Sequence, residues 1–494
     1  MKRVNVNLVP NIVNPSPDYY CTWQTQLYAT CDGKPAAQRR ILSEKALFEH
    51  EKPFGWAYFY PQARRDLLFV MDDSWDVPFN NDRSWYGSLI LNDEKFPDAT
   101  QADSNGQALK RLADRIKSLG WKGLGGWVCA QESKRRGIPF SEDYWVQCLK
   151  EANSGEFSYW KVDWGAKGTN LDFRRKLTEL GRVYAPKLII EHSQIHEVLT
   201  CSDVFRTYDV PAVFSIPMTM EKLKKALMSG ITENGYAGLI NCEDEVYMAA
   251  AGGFTMGVMR HPFRGSFPDG QADMSFPSVH RNLKTKMYEV LRAVRWHRIA
   301  PSFAVDKREV QISSYDLTDQ WRFVDRKSEI EEWWFSNPLV RERLSVDTVT
   351  VTAPAVISRN CELPCVELDE DGEMPYVLAS RNPQGAFSIA ALGRTKDRRY
   401  WIPRCRISAN IGNSTIVGIF GEYGELILHT NDKHIARVLA QDLASDQALD
   451  ITDEVYLVKN RIVIPGTLIR TVGTSAQPED DTSEPGLVLQ IIHS

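Results

Sequence analysis

The stretch Leu67-Leu-Phe-Val-Met-Asp-Asp-Ser-Trp75 contains the first clear strand of a repeated strand–helix pattern. A loop follows it, and then residues 105–119, in which apolar residues recur at the three- and four-residue spacing of a helix. Ser104 can cap the start of this helix and Gly120 its end, and a second apolar run over 121–128 follows at once. A strand, a helix and another strand in this order predict a βαβ unit with parallel strands.

The same alternation continues to about residue 305. With residues 19–26 as the opening strand, further strands are predicted at 157–162, 187–190, 204–205, 236–240 and 254–259. About eight strand–helix units in roughly 280 residues predict a (β/α)8 barrel. An open doubly wound sheet is the competing architecture. Its only candidate for a nucleotide loop, Gly123-Leu-Gly-Gly126, lies inside a strand and lacks the dinucleotide spacing.

Beyond residue 305 the pattern changes to short β-branched runs separated by turn residues. Such runs occur at 348–352, 387–390, 414–417, 425–428 and 461–464. They predict an antiparallel β-sandwich. We therefore expect two domains, a barrel over 1–305 and a C-terminal β-sandwich over 306–494. The second domain is expected to support the barrel or to form contacts in a homo-oligomer.

The composition excludes several classes of protein. The 494 residues are 43% hydrophobic and 25% charged, which is ordinary for a globular chain. Lys and Arg number 59 against 64 Asp and Glu, a net charge of −5, so no basic field favours nucleic acid. No run approaches the roughly 18 apolar residues of a membrane helix. The absence of a visible signal peptide and the odd number of cysteines, nine, predict a cytoplasmic protein with reduced thiols, and a secreted protein trimmed at its N-terminus is the alternative.

Polar side chains stand at the ends of the predicted barrel strands. In a barrel of this type the carboxyl ends of the strands surround one mouth. A single strand-end aspartate often only caps the next helix. Several carboxylates packed together, however, repel one another and raise each other's pKa, which folding alone would not favour. The strand-end residues are Asp72, Asp73, Asp163, Glu191, Asp209, Asn241 and Asp244.

Glycoside hydrolysis is the reaction that needs two carboxyl groups and nothing else. One carboxylate attacks or activates water, and the other group donates a proton to the leaving oxygen. No His-x-His pair, zinc-protease motif, serine elbow or phosphate loop is present, so no metal or cofactor is predicted. Flat aromatic rings can contact the C–H face of a sugar, although one or two of those near the strand ends should belong to the barrel core. These rings are Trp75, Trp127, Trp160 and Trp164.

Four strand-end motifs resemble those of the α-galactosidase clan, which contains glycoside hydrolase families 27 and 36. Met71-Asp-Asp-Ser-Trp75 resembles its Asp-Asp-x-Trp motif, and Tyr159-Trp-Lys-Val-Asp163 its Tyr-Leu-Lys-Tyr-Asp nucleophile strand. Arg206-Thr-Tyr-Asp209 is similar to the arginine and aspartate of its acid/base strand, and Asn241-Cys-Glu-Asp244 to its Asn-Asp-x-Asp motif. The resemblance covers roughly residues 18–300 and implies a barrel followed by a β-sandwich.

The resemblance also implies a function, that of a retaining, exo-acting α-glycosidase. Asp163 would be the nucleophile and Asp209 the general acid/base. Lys161 shares a strand face with Asp163, since residues two apart point the same way, and a nearby cation favours the ionised form that a nucleophile requires. The resemblance also implies a set of substrate-binding residues. Asp72 and Asp73 would bind hydroxyls far from the cleaved bond, Lys161 and Arg206 would bind another part of the ring, and Glu191 would lie near the 2-substituent. The remaining implied substrate-binding residues are Trp75, Trp164, Asn241 and Asp244.

Three departures from the family pattern leave alternatives open. Three steps separate Arg206 from Asp209, where the family usually has four, so Asp203 is a second candidate acid. Trp164 replaces the cysteine after the nucleophile, and Glu191-His-Ser replaces a Cys-Glu-Trp context, which predicts an altered 2-position pocket and leaves the sugar undetermined.

Inversion is the alternative stereochemistry. A carboxyl separation of about 5–5.5 Å indicates retention and one of about 6.5–9.5 Å inversion. A non-catalytic carbohydrate-binding barrel protein is the alternative function, because barrels host many activities.

Overall fold

The computed structural model describes most of the chain. It covers residues 1–30, 35–51, 54–207, 215–228, 238–243, 245–259, 286–306, 309–322, 348–396, 399–431, 434–479 and 481–493. Two predicted site residues, Asp209 and Asp244, lie outside these ranges.

Eight parallel strands close into a barrel, which confirms the predicted fold class. After a short strand β1 (Lys2–Val4), the barrel strands are β2 (Tyr19–Cys21), β3 (Leu68–Met71), β4 (Gly123–Val128), β5 (Phe157–Val162), β6 (Ile189–His192), β7 (Val204–Arg206), β8 (Leu239–Glu243) and β9 (Thr255–Val258). The pairing of β2 with β9 completes the closure. The opening strand is shorter than the predicted 19–26, because a helix begins at Trp23.

Helices surround the barrel in the described part of the chain. They are α1 (Trp23–Thr30), α2 (Pro35–Ile41), α3 (Glu44–Phe48), α4 (Asn105–Ser118), α5 (Glu142–Ser154), α6 (Leu171–Tyr184), α7 (Ser215–Met228), α8 (Val246–Gly252) and α9 (Met287–Ile299). Helix α4 shows why they form: Ser104 accepts a hydrogen bond from the Gln107 amide as N-cap, and the helix buries Leu109, Leu112 and Ile116. No described helix is long and apolar enough to cross a membrane.

The C-terminal part folds into two main sheets that share one apolar core. The strands are β10 (Val310–Ile312), β11 (Asp316–Arg322), β12 (Thr348–Pro354), β13 (Val356–Arg359), β14 (Cys365–Val366), β15 (Tyr376–Arg381), β16 (Phe387–Leu392), β17 (Arg394–Lys396), β18 (Arg399–Trp401), β19 (Arg406–Gly412), β20 (Ile416–Gly421), β21 (Glu425–Thr430), β22 (Ile435–Asp442), β23 (Ala448–Asp450), β24 (Tyr456–Val458), β25 (Arg461–Pro465) and β26 (Gly486–His493), with one helix, α10 (Gly466–Gly473). All five β-branched runs singled out in the sequence overlap strands, four of them in the two main sheets and the run 348–352 in a separate two-stranded sheet of β11 and β12.

The larger sheet has nine strands in the order β1-β23-β22-β26-β20-β16-β15-β13-β10, and the smaller has five in the order β14-β19-β21-β25-β24. Most neighbouring strands are antiparallel, as predicted, but the pairs β13–β15, β16–β20 and β19–β21 are parallel. Strand β1 pairs with β23, so the predicted barrel range of 1–305 includes one strand that belongs to this sheet.

One face of the nine-stranded sheet packs on the barrel. Leu378, Ala390 and Phe420 from this face lie in the same apolar cluster as barrel residues such as Val294 and Trp296. The opposite face builds the core shared with the five-stranded sheet. The barrel and the sandwich therefore have a continuous apolar contact.

Candidate active site

Buried charged side chains line the carboxyl end of the barrel. Lys161 Nζ lies 2.8 Å from Asp72 Oδ2 and 3.5 Å from Glu243 Oε1. Arg206, the last residue of β7, places Nη1 3.5 Å from the same Glu243 oxygen and Nη2 2.9 Å from Asp163 Oδ2. These residues form a row of alternating charge that we call the charged floor: Asp72, Lys161, Glu243, Arg206 and Asp163. Burial alone would lower the pKa of Lys161, but Asp72 and the other anions raise it well above its usual value, so Lys161 is charged.

Asp163 follows the last residue of β5, and its carboxylate is held from both sides. Trp127 Nε1 donates to Oδ2 over 3.1 Å, beside Arg206, and Gln194 Nε2 donates to Oδ1 over 2.8 Å. Burial by itself raises the pKa of Asp163. The positive charges of Arg206 and Lys161, with the hydrogen bonds from Arg206 and Trp127, outweigh burial and hold this pKa well below its usual value. Asp163 is therefore ionised at neutral pH, and 13% of its side chain is exposed.

A buried arginine on α6 supports the backbone at Asp163. Arg174 Nη2 donates to the Asp163 carbonyl over 2.7 Å, and its Nε donates to the Gly168 carbonyl over 2.7 Å. Its Nη1 lies 3.1 Å from His192 Nδ1, and His192 Nε2 lies 2.8 Å from Thr178 Oγ1. Because Arg174 can only donate, Nδ1 must accept, so His192 is neutral. Burial lowers the pKa of His192 well below its usual value, in agreement with that assignment.

Glu191 at the end of β6 belongs to a buried hydrogen-bond network. Tyr159 OH donates to Glu191 Oε2 over 2.6 Å, and Asn241 Nδ2 donates to the same oxygen over 2.7 Å. Asn241 Nδ2 also lies 2.9 Å from Tyr19 OH, which donates to Glu243 Oε1 over 3.1 Å. Burial raises the pKa of Glu191, and the neighbouring cations offset this only in part. The network fixes the orientation of Glu191 and of Glu243, which is itself part of the charged floor.

The two aspartates after β3 have different partners. Asp72 Oδ1 accepts from the Asp73 amide over 2.8 Å, and its Oδ2 accepts from Cys21 Sγ over 2.9 Å as well as from Lys161. Asp73 instead pairs with Arg39, whose Nε lies 2.8 Å from Oδ2, while Ser74 Oγ donates to Oδ1 over 2.7 Å. Burial raises the pKa of Asp73, although the Arg39 charge opposes the shift.

Three aromatic rings, which we call the aromatic wall, stand beside Asp163: Tyr86, Trp127 and Trp164. The Trp164 ring centroid lies 5.2 Å from that of Trp127 and 5.1 Å from that of Tyr86. Trp164 is 38% exposed, whereas the other two rings are buried. The wall thus offers one open aromatic face next to an ionised carboxylate, which suits the apolar side of a sugar ring.

Two residues of the site have strained backbones. Ser74 has a φ of 85° and Gln194 a φ of 82°, a region that residues with a Cβ rarely adopt. Ser74 directs its hydroxyl to Asp73, and Gln194 directs its amide to Asp163. Backbone strain of this kind costs about 1–3 kcal/mol and clusters at functional sites.

The structure brings most of the predicted site residues together. Asp72, Asp73, Lys161, Asp163, Glu191, Arg206 and Asn241 are joined by the contacts above, and Trp164 lies on the aromatic wall. Trp75 is different, because it is buried in the layer outside the barrel against Phe157, and its Nε1 donates to the Trp127 carbonyl over 2.7 Å. Asp209 and Asp244 lie outside the described residues.

The second candidate acid, Asp203, is at the wrong end of the barrel. It precedes β7, whereas Arg206 ends that strand. Its Oδ2 accepts from the Ile190 amide over 2.9 Å, so it joins β7 to β6 near the amino end of the barrel. Asp203 is therefore not placed to act with Asp163.

Sequence reasoning missed several residues of the site. Glu243 lies inside the motif Asn241-Cys-Glu-Asp244 but was assigned no role, and Gln194, Arg39 and Arg174 belong to no motif. Strand alternation could have identified Glu243, because it lies two residues after Asn241 and must share its inward face. The other three reach the site from a loop or from helices, where no spacing rule points to them.

No group of three or more metal-ligating side chains is arranged to hold a metal ion in the described ranges. The carboxylates of the site are matched instead by Lys161, Arg206 and Arg39.

Comparison with known proteins gives matches only among solved structures. No protein-family model matches the sequence, and a search of curated proteins finds no match. α-Galactosidase I from Mortierella vinacea is 10% identical, with a TM-score of 0.41, covering 98% of both chains. A family 27 β-L-arabinopyranosidase from Geobacillus stearothermophilus, in complex with arabinose, is 10% identical, with a TM-score of 0.38 and 97% of both chains covered.

An Anoxybacillus α-amylase is 8% identical, with a TM-score of 0.42, and the match covers 97% of this chain and 98% of the amylase.

Proposed function

We propose that this chain is a retaining glycoside hydrolase that removes a terminal α-linked sugar, with Asp163 as nucleophile and Asp209 as general acid/base. One observation carries the proposal: Asp163 is a partly exposed, ionised carboxylate at the carboxyl end of a barrel strand, held by Arg206 and Trp127 and flanked by the aromatic wall. A group of this kind is oriented for attack on an anomeric carbon that lies above it.

The first step forms a covalent intermediate. An Asp163 oxygen attacks the anomeric carbon while the bond to the leaving oxygen breaks, and Asp209 gives its proton to that oxygen. The product is a glycosyl ester of Asp163 and a free aglycone. In the second step Asp209, now ionised, takes a proton from water, whose oxygen attacks the anomeric carbon and displaces Asp163. Two displacements restore the original anomeric configuration.

The surrounding charges suit these roles. Arg206 and Lys161 keep Asp163 ionised, so no proton must be removed before attack. Asp72 and Lys161 present an acceptor and donors at the floor, where hydroxyls of a bound sugar can replace some of their mutual contacts. The strand-end motifs that resemble the α-galactosidase clan support substrate-binding roles for Glu191, Asn241 and Asp244, whereas Asp73 holds Arg39 at the edge of the site. Trp164 supplies the ring face, and the buried Trp75 supports the wall from behind.

The decisive experiment tests Asp163 directly. A screen of p-nitrophenyl α- and β-glycosides identifies a substrate, and NMR of the first product gives its configuration. Asp163→Asn keeps the shape of the side chain and should lower kcat by at least about 10³-fold, since the covalent route is lost. Asp172→Asn, at an exposed acid on α6, is the control and should leave kcat unchanged.

Labelling separates hydrolysis from mere sugar binding. A 5-fluoroglycosyl fluoride of the matching sugar should attach to Asp163, detectable by mass spectrometry of the peptide. Near-normal turnover by Asp163→Asn would show that another residue attacks. Sugar binding without turnover or labelling would instead favour a non-catalytic carbohydrate-binding protein, and a product of opposite configuration would indicate inversion.

A further inference from the structure

Helix α2 places an arginine in the site that the strand-end motifs do not include. Arg39 Nε lies 2.8 Å from Asp73 Oδ2, and 14% of its side chain is exposed. Its backbone is fixed as well, because the buried Lys95 donates from Nζ to the Arg39 carbonyl and to the Ser74 carbonyl, each over 2.8 Å. Arg39 is therefore held against the end of β3 by both its side chain and its main chain.

The outer end of the Arg39 guanidinium is open. Only Nε has a hydrogen-bond partner in the described ranges, so the two terminal nitrogens have none there. The guanidinium carbon lies 5.7 Å from the Tyr86 ring centroid and 5.8 Å from that of Trp164. Trp164 directly follows Asp163 in the chain, so the open nitrogens and the nucleophile border the same aromatic wall.

The same contacts occupy the carboxylate oxygens of Asp73, which would otherwise accept hydrogen bonds from a substrate. Arg39 donates to one of its oxygens and Ser74 to the other, and Asp73 is 2% exposed. At this corner the pocket therefore presents paired N–H donors rather than a carboxylate acceptor. A planar fork of donors matches the two oxygens of a carboxylate, with which it forms two parallel charge-assisted hydrogen bonds.

We propose that Arg39 is a specificity-determining residue that selects a glycone with a carboxylate on the side away from the cleaved bond, as in a glycuronic acid. This inference rests on the proposed function and names its substrate class. The Nε–Asp73 contact fixes the guanidinium in advance, so the two terminal nitrogens meet the substrate carboxylate without reordering.

Matched substrates test the selection. p-Nitrophenyl α-D-galactosiduronide and α-D-galactoside differ only at C6, which is a carboxylate carbon in the first and a hydroxymethyl carbon in the second, and the gluco pair differs in the same way. In one of the two pairs, the wild-type chain should have a kcat/KM at least about 10-fold higher for the acid than for the neutral glycoside. A factor of this size is what a charge-assisted hydrogen bond contributes. Equal or higher kcat/KM for the neutral partner of both pairs would overturn the proposal.

Variants assign the selection to Arg39. Arg39→Gln should lower kcat/KM for the acid roughly 10- to 100-fold more than for the neutral glycoside. Arg40→Gln, at the exposed neighbouring arginine, is the matched control and should change neither. An equal loss on both substrates in Arg39→Gln would show that Arg39 only supports Asp73, and would contradict the proposal.

Binding separates this proposal from the proposed function. Asp163→Asn should bind the free glycuronic acid more tightly than the neutral sugar by calorimetry, and the preference should disappear in the Asp163→Asn, Arg39→Gln double variant. Hydrolysis of neutral glycosides only would leave the proposed function standing and reject the carboxylate. Preferential binding of the acid without any turnover would support the carboxylate selection and reject the proposed hydrolase function. Failure to bind either sugar would reject the carboxylate selection as well.

Discussion

At the scale of single residues, the charged floor sets what can be changed without unfolding the barrel. Lys161 and Arg206 each contact two or more carboxylates and are almost completely buried. Removing one partner of a buried ion pair leaves an uncompensated charge and costs about 3–5 kcal/mol. Substitutions that keep shape, such as Asp163→Asn, are therefore better probes of chemistry here than truncations to alanine.

Arg174 is a positioning residue rather than a substrate contact, because it holds Asp163 through the backbone carbonyl. Arg174→Met should lower kcat by about 10-fold or more with little change in KM, since the nucleophile loses its support. It also removes a cation near Asp163, so the pKa of that carboxyl should rise. Asp163 must be ionised to attack, so activity on the acid side should then be lost at a higher pH than in the wild type.

The pH profile of kcat/KM checks this prediction. Arg174→Lys keeps the charge and should restore most of the wild-type acid limb, while restoring kcat less well, because an ammonium cannot reach all of the carbonyls at once. A lower melting temperature with an unchanged pH profile and kcat would mean that Arg174 serves stability alone.

At the scale of elements, the glycine-rich strand β4 creates space on both faces of the barrel wall. A Cβ on Gly125 would lie 2.7 Å from Tyr159 Cβ inside the barrel, and one on Gly126 would lie 2.9 Å from Trp75 Nε1 outside it. Because they have no side chains, Gly125 leaves room for Tyr159 inside the barrel and Gly126 leaves room for Trp75 outside it. The glycines of the stretch Gly123-Leu-Gly-Gly126 serve packing, which is consistent with its rejection as a nucleotide loop.

Gly125→Ala should therefore destabilise the barrel strongly. The new methyl group would meet the Tyr159 backbone oxygen and Cβ, neither of which can move without shifting β5. Overpacking of this kind costs about 1–3 kcal/mol or more. Gly137→Ala is the comparison, since its Cβ would meet nothing and only its positive φ of 68° carries a cost, about 1 kcal/mol. Thermal unfolding should show the larger decrease for Gly125→Ala; equal decreases would refute the packing argument.

The elements also show how much the sequence could predict. Apolar runs ending in acids located the barrel strands, because a strand buried on both faces must be apolar and its end must face the mouth. Arg39 and Gln194 were not predictable in this way. Arg39 enters from a short helix between β2 and β3, and Gln194 depends on a backbone conformation that its side chain does not favour. Such contacts arise from tertiary packing, for which a local pattern carries no signal.

At the scale of the whole molecule, buried arginines join the two domains. Arg359 on β13 donates to the carbonyls of Gly252, Gly253, Phe303 and Ala304 over 2.7–3.1 Å. Burial lowers its pKa to about 9, so it remains charged at neutral pH. On the other side of the interface, Arg292 of α9 forms a two-pronged pair with Asp442 of β22.

Arg359→Met should weaken this junction. Four backbone carbonyls would lose the hydrogen bond from Arg359, although that of Gly253 would keep the Phe303 amide as a donor, and each buried polar group left unsatisfied costs about 1–3 kcal/mol. We expect a clearly lower melting temperature in calorimetry and a broader or divided transition, because the domains would unfold less cooperatively. Arg406→Met, at a half-exposed surface arginine on β19, is the control and should change the melting temperature little. An unchanged transition in Arg359→Met would show that apolar packing alone couples the domains.

The pairing of β1 with β23 has a consequence for how the molecule is assembled. Lys2 lies beside Asp450, so this edge of the nine-stranded sheet joins residues that are far apart in the sequence. Such a pairing costs loop-closure entropy before it stabilises anything, so we expect β1 to dock late in folding. Once docked, β1 is the outermost strand at this edge, and its three residues offer only a short template for pairing with another chain.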